Sequence, residues 1–179
     1  MNRGNTLIFD DESEFNSLSG DTYDFPAVFN RILCFMKEDR ESSYKISVGT
    51  DSHVSINTVL VSCILVHRIG RGAIGFMHKG IIPRPIKNLR EKIYLETCTS
   101  LQLAYMFDES KMADLLNTVH KKGVTFEFHI DIGTKGDTKT LISEMMGMVK
   151  GINYFVARIK PDSYCASCLA DRYTKVVAI

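Results

Sequence analysis

Phe25, Val28, Phe29, Ile32, Leu33 and Met36 recur at the spacing of one helix face, with Pro26 in the first turn, and predict a helix to about Lys37. The period then shortens to two. Ile46, Val48 and Thr50 alternate with Lys45, Ser47 and Gly49, a strand expected to end near Asp51. Thr58 to Val66 is almost wholly apolar and rich in β-branched residues, as in a strand covered on both faces. Gly70-Arg71-Gly72 then turns the chain into a third strand around Ile74 to Ile82, and such short connections imply an antiparallel meander.

Pro83 and Pro85 end the meander. Asn88 and Glu91 stand three apart, the spacing of a capping box, ahead of a helix to about Phe107; a second helix is expected over Lys111 to Lys121, stopped by Gly123. Val124 to Asp131 alternates as a fourth strand, Leu141 to Val149 repeats as a helix, and Tyr154 to Ile159 supplies a fifth strand. Asp162 or Ser163 would cap a last helix carrying Tyr164, Leu169 and Tyr173. This order is that of an α/β fold: a five-stranded mixed sheet, three antiparallel strands followed by two parallel ones alternating with helices, flanked by helices. Residues 1–24 are acidic and aperiodic, an expected loose lead-in to one domain over residues 25–179.

Composition narrows the partners. The 179 residues, 45% hydrophobic, are enough to bury a core without disulfides or structural metal. Lys and Arg number 22 against 21 Asp and Glu, so no global positive field draws nucleic acid, and any such partner must be held by a local patch. Lys79, Arg84, Lys87, Arg90 and Lys92 form one basic group and Arg158, Lys160, Arg172 and Lys175 another; solvated surface charge is the plainer account of both. Five cysteines inside mostly apolar stretches read as reduced thiols, and Cys165 with Cys168 has no second pair to complete a zinc site. Without a secretory leader or an apolar run of about eighteen residues, a soluble cytoplasmic protein is expected.

The chemistry lies in the carboxylates. Asp51, Asp131 and Asp162 each fall just past a separate strand, and in a sheet of this kind strand carboxyl ends are where sites form. Acids crowded together repel, and a hard divalent cation, Mg²⁺ or Mn²⁺, resolves the repulsion. Taken singly, Asp51 could start an Asx-turn and Asp162 could be a helix cap. A fourth acid would come from the helix after the meander. Glu91 and Glu96 point about 140° apart there, so one of them faces the site; Glu91, in the first turn, is preferred, with capping as its structural alternative. His53 stands beside Asp51, and His129 lies two residues before Asp131 on the same strand face; either serves substrate or is a hydrogen-bonded structural imidazole. Gly133, Gly136 and neighbouring lysines lack the spacing of a nucleotide-triphosphate loop.

At Val48-Gly49-Thr50-Asp51-Ser52-His53, His129-Ile130-Asp131-Ile132-Gly133-Thr134-Lys135-Gly136 and Ile159-Lys160-Pro161-Asp162-Ser163-Tyr164, and again at Ala170 to Lys175 and Ile82 to Lys92, the chain resembles the YkuK-type ribonuclease H-like family of bacterial proteins. The likeness runs from about Phe25 onward. It implies the ribonuclease H-like fold and makes Asp51, Glu91, Asp131 and Asp162 the positions matching a nuclease's acidic set, with Asp171 the rival for the last place. Where many relatives carry Gln after the Asp-Ser pair, this chain has His53. The expectation is a nuclease dependent on two Mg²⁺ or Mn²⁺ ions, cleaving RNA, DNA or a hybrid, with His53, Arg90, Lys135, Lys139 and Lys160 meeting the substrate. The alternative is a non-catalytic module of the same fold that binds nucleic acid or protein and keeps the carboxylates for folding.

Overall fold

A computed structural model describes residues 8–120, 123–133, 139–152 and 154–165. Its framework is one mixed sheet. The first long helix, α1 (Phe25–Lys37), starts where Asp24 accepts a hydrogen bond from the Ala27 N–H and presents Val28, Ile32 and Met36 to the core. Then come the meander strands β3 (Tyr44–Val54), β4 (Thr58–Arg68) and β5 (Gly72–Ile82), the helices α2 (Leu89–Tyr105) and α3 (Glu109–Thr118), and strand β6 (Val124–His129). Helix α4 (Lys139–Val149) and strand β7 (Phe155–Arg158) follow. The described part of the expected last helix is confined to its start at Cys165.

Among the described residues the sheet has seven strands, not five, because the acidic lead-in contributes two. Strands β1 (Phe15–Ser17) and β2 (Thr22–Tyr23) form a small antiparallel pair on the edge of β5, with Asn16 opposite Met77 and Phe15 fully buried. Segments of three and two residues are too short to show a period, so their pairing could not be read from alternation. The complete order is β2-β1-β5-β4-β3-β6-β7. Strands β6 and β7 run parallel to β3, and the meander is antiparallel, as the element order implied.

Strand β3 also runs past its expected end. Its ladder with β4 is unbroken from Tyr44 opposite Arg68 to Val54 opposite Thr58, so Asp51 sits inside an antiparallel pair, facing Val61 across it. The parallel ladder on its other side is shorter. It ends at Gly49 opposite His129, and that of β6 with β7 ends at His129 opposite Arg158.

One main core joins sheet and helices. Ile46, Val48, Ile64, Val66, Phe126 and Phe128 meet Ile32 of α1, Leu103 of α2, Leu115 of α3 and Met145 of α4. On the opposite face, Val61, Cys63, Met77 and Cys165 form a smaller cluster. Gly49 lies close against β6, where a Cβ would stand 3.1 Å from the His129 Cβ and 3.2 Å from its carbonyl oxygen. Among the described residues no helix is long and apolar enough to cross a membrane.

Candidate functional site

Register alone aligns three charged side chains. Gly49, His129 and Arg158 form the last row shared by β3, β6 and β7, and the second residue past that row on each chain is Asp51, Asp131 and Lys160. Backbone bonds carry the β6–β7 pairing beyond the strands: the Ile130 N–H donates to Arg158 O at 2.9 Å and the Lys160 N–H to Ile132 O at 3.0 Å. Lys160 is thereby held alongside Asp131, and its Nζ lies 2.7 Å from Asp131 Oδ1.

Helix α2 adds the third acid, and it is Glu96. Glu96 shares the face of α2 that carries Ile93, Ser100 and Leu103, which packs on β3. It is 4% exposed, and its Oε1 accepts a 2.6 Å hydrogen bond from Ser52 Oγ, the residue after Asp51. Lys92, one turn earlier, reaches the same oxygen at 3.6 Å. Glu91 corrects the sequence-based choice: at the third position of the helix its N–H is capped by Asn88, and its carboxylate pairs with Arg84 on the outer surface. There it lines an apolar groove of about 690 Å³ with Ile81, Pro83, Tyr94 and Leu95, on the other side of α2 from Glu96.

The charges read one another. Burial raises the pKa of Glu96 from 4.5 to about 7; the Ser52 hydrogen bond and Lys92 oppose the rise, and the charges of Asp51 and Asp131 add to it. Asp51 is likewise pushed up, first by burial and then by Asp131. Lys160 is pushed up by its bond to Asp131, against its own partial burial, and then by the charges of Asp131, Asp51 and Glu96. Three carboxylates from β3, α2 and the chain beyond β6 therefore form one electrostatic group with an ammonium in it.

Other expected members lie apart. Asp162 is exposed, its N–H bonded to Ile159 O at 2.9 Å, and it is not among the leading charges acting on Asp51 or Glu96. His53 is exposed, two residues beyond Asp51 on the same strand face. Arg90 is engaged by Glu144 of α4 at 2.7 Å. Lys135, Asp171, Arg172, Lys175 and the Lys139 side chain fall outside the described residues.

His129 is structural. Its Nδ1 faces two backbone donors, the N–H groups of Tyr164 at 3.2 Å and Cys165 at 3.0 Å, so the ring proton sits on Nε2 and is donated to Glu127 Oε2 at 3.1 Å. Burial lowers the His129 pKa, and Glu127 only partly offsets it. Burial also works against the charge of Glu127, but hydrogen bonds from His129 and Arg158 and the charge of Lys45 outweigh it and hold that pKa below the usual glutamate range. This network ties Tyr164 and Cys165 to β6 and β7; the sequence offered His129 as a hydrogen-bonded imidazole but not its partner Glu127, of which the alternation of the two was the available sign.

The donor chemistry suits a hard divalent cation: carboxylate oxygens only, held together against their repulsion. As they stand, Asp131 is engaged by Lys160 and Glu96 by Ser52, and among the described residues no three His, Cys, Asp or Glu side chains converge into a ready metal cage.

The family model described as Ribonuclease H-like matches residues 27–175. The chain is 40% identical over 167 residues to the uncharacterized protein YkuK of Bacillus subtilis (strain 168), a match covering 90% of this chain and 96% of that one. No solved structure matches it significantly.

Proposed function

Because the chain belongs to the YkuK-type ribonuclease H-like family, we propose that it is a divalent-metal-dependent phosphodiesterase acting on RNA, DNA or a hybrid, with its centre at Asp51, Glu96 and Asp131. One observation carries this reading: a glutamate 4% exposed, titrating near 7, stands within the field of two aspartates from different strands. A fold gains nothing from so unfavourable a gathering of acids unless something positive is to be held there.

Asp51, Glu96 and Asp131 would hold Mg²⁺ or Mn²⁺. When bound, such an ion makes a nucleophile of water at neutral pH and stabilises the leaving oxygen of a phosphodiester. The chain's own groups do the rest. Ser52 Oγ fixes the orientation of Glu96, so that its carboxylate faces the aspartates. Lys92 and Lys160 bring positive charge to a centre that meets anionic phosphate, and Arg158, paired with Glu127 on the last row of β7, is 41% exposed in its side chain. Asp162, exposed past β7, would join only from the rim.

The test is cleavage of labelled single-stranded, duplex and hybrid substrates across a Mn²⁺ titration. Activity that disappears in Asp51→Asn and Glu96→Gln is expected; an inert wild type, or variants as active as it, refutes the proposal.

The Lys160–Asp131 pair favours a second reading, the non-catalytic nucleic-acid- or protein-binding module, since it neutralises one of the acids from within. On that reading no divalent ion binds and Asp131→Asn destabilises the fold. On the first, ions bind and the substitution is close to neutral.

A further inference from the structure

Lys160 is placed with unusual definition for a lysine next to a candidate metal centre. Its N–H is bonded to Ile132 O just past the β6–β7 ladder, and its ammonium is 2.7 Å from Asp131 Oδ1 although the side chain is about half exposed. A lysine serving only incoming phosphate has no reason to lie on Asp131 within the field of Asp51 and Glu96. Its charge instead sits on the Asp131 oxygen that a second ion of a pair would have to share.

We propose that Lys160 is the built-in second cation of this centre. Its ammonium takes one of the two cation positions, on Asp131, and the chain loads a single divalent ion, on the side of Asp51 and Glu96. This rests on the phosphodiesterase reading and deepens it: the leaving or attacking oxygen next to Asp131 meets a protein ammonium, which carries one charge, is held by the Lys160–Ile132 backbone bond and by Asp131, and is insensitive to the supply of metal. The two-ion expectation drawn from the sequence is replaced by one ion and one lysine. Lys92 is not the equivalent group, because the acid it reaches is Glu96, at 3.6 Å, and not Asp131.

The experiment is the stoichiometry of Mn²⁺ binding, by calorimetry and by the loss of free-ion electron paramagnetic resonance, on wild type, Lys160→Met, Lys160→Gln and Lys160→Arg, with no substrate present. Expected are one ion on wild type and on Lys160→Arg, and two on Lys160→Met and Lys160→Gln. Two ions on wild type overturn the inference and leave the phosphodiesterase reading standing. One ion on all four proteins, however much tighter without the lysine, makes Lys160 a neighbouring charge only and also overturns it. No ion on wild type overturns it whatever the variants do, and no ion on any of them removes the metal-dependent reading as well. Both neutral variants replace a half-exposed side chain, and circular dichroism checks their fold before titration.

Discussion

Glu96→Gln isolates the physical cost of the acidic centre. In the folded chain the Glu96 pKa stands at about 7 against an ordinary 4.5, chiefly through burial, with Asp51 and Asp131 adding to it. Below the ordinary value both folded and unfolded chains hold the proton, and the carboxyl group does not weigh on stability. As pH rises the unfolded chain ionises first, so stability falls until the folded carboxyl ionises too, near 7, and is level above that. The shift corresponds to about 3 kcal/mol of stability lost between about pH 4.5 and about pH 8. The amide keeps a Ser52 acceptor and has no proton to lose, so Glu96→Gln should gain that amount on wild type over the same interval, being near wild type at the acid end. Urea unfolding in chelator, at fixed ionic strength and a series of pH values, measures the difference. Curves that stay parallel, or a variant that loses ground as pH rises, would refute the reasoning.

Other expectations are independent of that one. His129→Ala should cost about 2 kcal/mol near neutrality, because two backbone N–H groups lose their acceptor. Since the His129 pKa is lowered in the fold, its contribution is complete above the ordinary 6.5 and fades as pH falls through the folded value, so the variant should also flatten the acid limb of the urea-stability profile. Gly49→Ala should lower stability by about 1–3 kcal/mol, seen as a lower melting temperature, since its methyl group would press on the His129 Cβ and carbonyl oxygen. Glu91→Gln breaks only an exposed pair with Arg84 and should change stability by less than about 1 kcal/mol, leaving Mn²⁺ affinity as it is, whereas Glu96→Gln should weaken that affinity about tenfold or more when both are titrated by calorimetry.

Much of the architecture was visible in alternation and in helical spacing. The three meander strands, the later strands and four helices all follow long periodic segments, and buried positions such as Ile46, Val48, Phe126 and Phe128 are those the period selects. The β1–β2 pair was hidden because its pieces are too short to alternate and its anchoring residue, Phe15, stands among acids. That Asp51 and Asp131 come within each other's field was legible from strand ends, even though β3 continues, because what matters is where the parallel ladder stops. Glu96 was named with Glu91 as a candidate and Glu91 was preferred, whereas it is Glu96 that lies on Ser52 within the field of Asp51 and Asp131. Proximity to the helix start favoured Glu91, but the face was already determined by Ile93, Ser100 and Leu103, which share a stripe with Glu96. The partnership of Lys160 with Asp131 required the β6–β7 register, which no local pattern supplies.

The most direct measurement on the account is anomalous diffraction at the manganese edge from crystals of the wild-type chain grown in Mn²⁺. The account predicts an ion bound to carboxylate oxygens of Asp51 and Glu96, with Lys160 still on Asp131. Density without manganese at these residues under saturating metal, or an ion held at Glu91 and Asp162 instead, would contradict it.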